Sequence, residues 1–168
     1  LAIGISLELG IWDFPEATRV SSALDNIRRS INIHGMSTRL FDHIDLRVRN
    51  RDAAQRFYAQ VLPAIGFRVD KSGKRWGLFE AEGSVAVDFF GFEEETDHQP
   101  NANRIAFWAP SREAVDRVGE VVRKAGAKNI EGPELCLEYS PGYYAVFFED
   151  PDGNKLEVCH RESATVAE

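Results

Sequence analysis

A chain of 168 residues with 43% hydrophobic and 28% charged side chains has the make-up of a globular domain with one substantial core. Its net charge of −7, without clustered Lys and Arg, excludes a nucleic-acid surface, and no apolar run reaches the roughly 20 residues of a membrane-spanning helix. Two cysteines, Cys136 and Cys159, are too few for a disulfide framework and lack zinc-ligand spacing, which predicts a reducing, cytoplasmic setting.

Residues 1–40 read as an N-terminal extension. Leu1 to Trp12 is apolar but lacks the basic start and the cleavage site of a signal peptide. Asp13, Pro15 and Glu16 mark a helix start. Ala17, Val20, Leu24, Ile27 and Ile31 follow at spacings of 3, 4, 3 and 4, which predicts a helix over 15–33 with an apolar stripe. Such a stripe needs an apolar surface to lie on, either this chain's own or a partner subunit's. Met36, the only methionine, marks the approach to the compact domain, whether the residues before it are native or foreign.

From Phe41 to Val48 the pattern alternates, with Ile44, Leu46 and Val48 on one face and His43, Asp45 and Arg47 on the other. Asn50 caps a predicted helix carrying Ala54, Phe57, Tyr58, Val61 and Leu62 on one side, ended by Pro63 and Gly66. Strands are predicted at Phe67–Asp70, Trp76–Ala81 and Val85–Phe90, the last with Ala86, Asp88 and Phe90 sharing a face. The acidic stretch 93–103 reads as a solvated linker.

The same order then recurs. A strand at Arg104–Trp108 leads to a Ser111 cap and a helix with Val115, Val118, Val121, Val122 and Ala125 in its stripe, stopping at Gly126. Strands follow near Asn129–Glu131, Tyr143–Phe148 and Lys155–His160. The last two flank Asp150, Pro151, Asp152 and Gly153, where Pro fixes φ and Gly accepts the conformation that closes a hairpin. His43 maps on Arg104, Phe57 on Val118 and Gly66 on Gly126 at offsets of 61, 61 and 60, and Asp88 is aligned with Glu157, late in the last strand of each unit. This predicts an α+β fold of two βαβββ modules, one over 41–92 and one over 104–162, forming a curved sheet around a shared cavity. Residues 163–168 are a tail. His43, Asp88, Arg104 and Glu157 would then face that cavity, while His34, His98 and His160 carry no assigned role and the two cysteines read as small core residues.

The paired modules, the strand Phe41-Asp42-His43-Ile44-Asp45-Leu46 before a helix with Phe57 and Tyr58, and the ending Phe148-Glu149-Asp150-Pro151-Asp152-Gly153-Asn154-Lys155-Leu156-Glu157 together resemble the vicinal oxygen chelate superfamily. That family includes glyoxalase I, fosfomycin-resistance proteins, extradiol dioxygenases and bleomycin-resistance proteins. Tyr139-Ser140-Pro141-Gly142-Tyr143-Tyr144-Ala145 further resembles a glyoxalase-like subgroup. The resemblance covers about Phe41 to Arg161. It implies a small organic molecule as ligand and a homodimer as the assembly.

It also implies a ligand set at the first and last strands of each module, which falls on His43, Asp88, Arg104 and Glu157. His43, Asp88 and Glu157 would hold a divalent ion (Zn²⁺, Ni²⁺, Mn²⁺ or Fe²⁺) for Lewis-acid lyase, isomerase or dioxygenase chemistry, with Glu157 alternatively serving as base. Arg104 departs from the pattern, because a guanidinium offers donors only. A second implied reading therefore stands beside the first: a metal-free binding or sequestering protein of the bleomycin-resistance type. In it Arg104 clamps an anion or pairs with Glu157, and Trp108, Tyr143, Phe147 and Phe89 supply flat apolar walls.

Overall fold

The computed structural model describes residues 41–82 and 88–162, so the predicted helix over 15–33 lies outside the described residues. Residues 41–168 form a compact unit of their own. Its order is β1 (His43–Val48), α1 (Arg51–Ile65), β2 (Phe67–Asp70), β3 (Trp76–Ala81) and β4 (Phe89–Glu94). The order repeats as β5 (Arg104–Trp108), α2 (Arg112–Ala125), β6 (Lys128–Leu135), β7 (Tyr143–Glu149) and β8 (Lys155–Arg161). The two βαβββ modules build two four-stranded mixed sheets, ordered β1-β4-β3-β2 and β5-β8-β7-β6. In each, the outer first strand runs parallel to the last strand of its module, and the remaining pairs are antiparallel.

Local chemistry sets the element ends. Asn50 accepts a hydrogen bond from the Ala53 amide at 2.8 Å, and Ser111 accepts one from Ala114 at 3.3 Å, each satisfying a donor that a helix start leaves open. Gly126 closes α2 in the left-handed region at φ 84°, which a side chain would strain. Pro63 does not end α1, contrary to the sequence reading. The helix continues to Ile65 because a proline in the last turn forfeits only one ladder bond, and the stop comes at Gly66, whose amide reaches the Leu62 carbonyl at 3.0 Å.

Alternation in the strands places Ile44, Leu46, Val48, Phe90, Phe92, Ile105, Phe107, Val146, Phe148, Leu156 and Val158 in one core together with the apolar stripes of both helices. That core crosses between the modules. Phe57 meets Phe148, and both Phe67 and Phe90 meet Phe107, with ring centroids 5.9–6.5 Å apart. Gly77 leaves room for the Phe92 ring, since a Cβ there would collide with it.

The Asp150–Asn154 turn carries a polar network through this joint. The Gly153 amide bonds the Asp150 carbonyl at 3.1 Å, with Gly153 at φ 96°. Fully buried Asp150 accepts from the amides of Asp152 and Asn154 on one oxygen, and from Tyr58 Oη of α1 at 2.8 Å and Asn154 Nδ2 on the other. Asp152 does not bond back to its own turn; its carboxylate takes the amide and the Nε of Arg49 at 3.0 and 3.1 Å. Module two's hairpin thus grips the end of β1.

Two strands differ from the sequence reading. β6 is longer, Lys128–Leu135, and irregular in its pairing with β7. The last strand of module one, expected at Val85–Phe90, begins at Phe89 and runs to Glu94, taking the first residues assigned to the linker. Asp88 therefore stands before the strand, its carbonyl accepting from the Ala81 amide at 2.8 Å.

Candidate functional site

The helix-free face of module two gathers the densest chemistry. With Leu156 and Val158 turned into the core, the period of two sends Lys155, Glu157, Cys159 and Arg161 to the opposite face of β8. Register brings Ala106 and Phe147 beside Glu157, and sets Arg104 directly beside Lys155. Tyr143, Ala145, Phe147, Cys159 and Cys136 form a second, smaller buried cluster.

Glu157 lies at its centre, 6% exposed. Tyr143 donates its phenolic O–H to Glu157 Oε1 in a short hydrogen bond, and Arg104 Nη1 stands 3.9 Å from Oε2. The Arg104 guanidinium lies over the Phe147 ring, 4.6 Å from its centroid, and Arg161 covers Tyr143 at 4.8 Å. Tyr139, from the β6–β7 loop, adds its ring 5.2 Å from Tyr143 and 6.2 Å from Phe147. Tyr139 and Trp108, the outermost residue of β5, leave most of their ring surface open. The arrangement offers a buried acceptor, a part-exposed guanidinium with donors to spare, and flat walls.

Burial pushes the Tyr143 phenol far up from its ordinary range, and hydrogen bonding with Cys159 and Glu157 adds to the effect. Burial, and then the Asp150 charge, does the same to Tyr58. A phenol raised in the native state gives stability that is complete below the unfolded value near 10 and drains away as pH rises past it. We expect the native chain to show a smaller phenolate step at 295 nm near pH 10 than the urea-unfolded chain, and to lose stability above that pH. Burial also raises the Cys159 and Cys136 thiols, which keeps both as thiols and agrees with their reading as core residues.

His43 belongs to a different cluster. Its Nδ1 is 2.9 Å from Asp42 Oδ2, and its ring stacks parallel on Phe89, its register partner, at 4.5 Å. No hydrogen bond, ion pair or ring contact among the described residues joins this pair to Arg104 or Glu157. Of the aromatic walls expected from sequence, Trp108, Tyr143 and Phe147 share the face with Arg104, whereas Phe89 stands with His43. Tyr139, Arg161 and Lys155 are not among the site residues expected from the sequence.

The expected metal set of His43, Asp88 and Glu157 is not assembled here. Among the described residues no three His, Cys, Asp or Glu side chains gather in a group that could hold an ion. The strand register gives the physical reason. Glu157 pairs with Ala106, two residues after Arg104, and the matching position in module one, opposite Asp45, is Gly91, which has no donor. Arg104, the counterpart of His43, repels a cation. One chain's described donors therefore do not fit a resident divalent ion.

Comparison with known proteins agrees with the architecture. The family model described as the Glyoxalase/Bleomycin resistance protein/Dioxygenase superfamily matches residues 40–158. The uncharacterized protein YqjT of Bacillus subtilis is 29% identical over 121 residues, covering 69% of this chain and 94% of its own length. Among solved structures, a glyoxalase/bleomycin resistance protein from Albidiferax ferrireducens superposes with a TM-score of 0.60 at 25% identity, over 73% of this chain and 99% of that one. The fosfomycin resistance protein FosX from Mesorhizobium loti does so at 0.53 and 20%, over 74% and 93%, and shares the fold. From its paired βαβββ modules to the hairpin that closes the second of them, the chain belongs to the glyoxalase/bleomycin resistance protein/dioxygenase superfamily.

Proposed function

We propose that this protein binds a small, flat organic anion on the helix-free face of module two, without a resident metal. The observation that carries this reading is the placing of Arg104: stacked on Phe147, held only loosely at 3.9 Å by Glu157, and partly open to solvent. A guanidinium so oriented has donors left for a carboxylate, and the stacking cuts the ordering cost of using them. The ligand's flat part lies against Phe147 and the open ring of Tyr139, with Trp108 beyond. Glu157 and Tyr143 act behind it as positioning residues, fixing the guanidinium from the buried side. No helix among the described residues is long and apolar enough to cross a membrane.

The test is calorimetric titration of chelator-treated protein with benzoate, salicylate and indole-3-acetate, and with the uncharged benzamide. The carboxylates should bind and benzamide should not compete. Arg104→Ala should weaken carboxylate binding by about ten- to a hundredfold, the range of a charge-assisted hydrogen bond. Undiminished binding by that variant, or binding that returns only with added Ni²⁺ or Zn²⁺, would count against the reading.

A further inference from the structure

The buried rings of Phe147 and Tyr143 carry an outer layer of side chains. Their backbone positions lie about 13 Å apart along β7. The Tyr143 ring leans back towards Glu157, which is opposite Phe147 in register, so the two rings are closer than that. Arg104 covers the first ring at 4.6 Å and Arg161 the second at 4.8 Å, and Tyr139 meets both, at 6.2 and 5.2 Å. The outer surface is thus a cation, an open ring and a second cation. Resting on the reading of Arg104 as an anion clamp, we propose that the ligand of this face is a flat aromatic dianion whose second anionic group is taken by Arg161.

Arg161 repeats the setting of Arg104 with fewer ties. It ends β8 on the Glu157 face, is exposed, and has the neutral Tyr143 as its register partner. The carboxylates of this region are otherwise placed. Glu157 accepts from Tyr143 and lies towards Arg104, and Glu162 is held by Arg112 at 2.6 Å. Glu134 and Glu138, whose charges act on Cys136, form no ion pair with Arg161. No N–H of Arg104 or Arg161 has a hydrogen-bond acceptor among the described residues. Stacking on a ring holds the plane of a guanidinium without using its N–H groups, so each fork is free to take a carboxylate.

The space between the forks selects the body of the ligand. Tyr139 is 58% exposed and offers a flat apolar surface, which rewards an aromatic body over an aliphatic chain. A rigid body also fixes the spacing of its two ends, so less freedom is lost on binding than with a flexible diacid. A singly charged ligand can use one fork only.

The probes are terephthalate and biphenyl-4,4′-dicarboxylate, each titrated by calorimetry into the full chain beside its monoamide, which keeps the shape and loses one charge. At least one diacid should bind about tenfold more tightly than its monoamide, well beyond the statistical gain of having two equivalent ends. In Arg161→Gln that ratio should fall to the statistical gain, whereas Arg104→Ala should weaken both members of the pair. A ratio no larger than the statistical gain in the native chain, or one that survives Arg161→Gln, would overturn the second contact and leave the anion site at Arg104 standing. No binding of diacids or monoamides would overturn both.

Discussion

Asp150→Ala is expected to destabilise the domain by about 3–5 kcal/mol, a large part of the 5–15 kcal/mol that such domains possess. The carboxylate is wholly buried and accepts four hydrogen bonds, from the amides of Asp152 and Asn154, from Asn154 Nδ2 and from Tyr58 Oη. Alanine leaves all four donors without their acceptor at a fully buried position, and the cost is the desolvation of each. Tyr58→Phe removes one donor and leaves Asp150 its other three, so about 1 kcal/mol is expected. Urea unfolding measures both. A midpoint for Asp150→Ala no lower than that for Tyr58→Phe would show that the network contributes little. The same turn holds Arg49 and Asn154 in place, so Asp150→Ala should also loosen the joint between the modules.

The second large effect concerns Glu157, where the direction separates the two chemistries open to this family. If Arg104 is an anion clamp, the neighbouring carboxylate competes with the ligand. Glu157→Gln then removes a negative charge near the bound anion while keeping an oxygen for Tyr143 to donate to. Benzoate affinity is expected to rise about three- to tenfold, the scale of one charge a few ångströms away at an effective dielectric near that of a protein surface. A carboxylate serving as base or metal ligand would give the opposite result, with loss of turnover or of ion uptake and no gain in affinity. Titration of the Gln variant alongside Arg104→Ala decides between them, and weakened benzoate binding in the Gln variant would show that Glu157 orients the guanidinium more than it competes for it.

Much of this was legible in the sequence because short-range rules govern it. The alternation in β1 and β8 gave each side chain its face, and Asn50, Ser111, Gly66 and Gly126 gave the helix ends. The offset repeat gave the family architecture. The start of β4 was not legible. From Val85 to Phe92 nearly every residue is apolar, so either phase of a strand fits the run, and only pairing with β1 and β3 selects the one that begins at Phe89.

Distance was likewise not legible. Parity places His43 and Glu157 on helix-free faces, but it does not say whether those faces meet, and here each side chain has its own partners. The apolar stripe from Ala17 to Ile31 lies outside the described residues.

The grip of Asp152 on Arg49, across 103 positions of sequence, has a bearing on how a duplicated fold ages. Once one copy's turn has become the other's anchor, the copies are no longer spare parts for each other, and neither can drift alone. A lineage that replaces Arg49 by a neutral side chain strands a nearly buried carboxylate, and is pressed to give up Asp152 as well. The two positions should therefore change hands together while the rest of each half wanders.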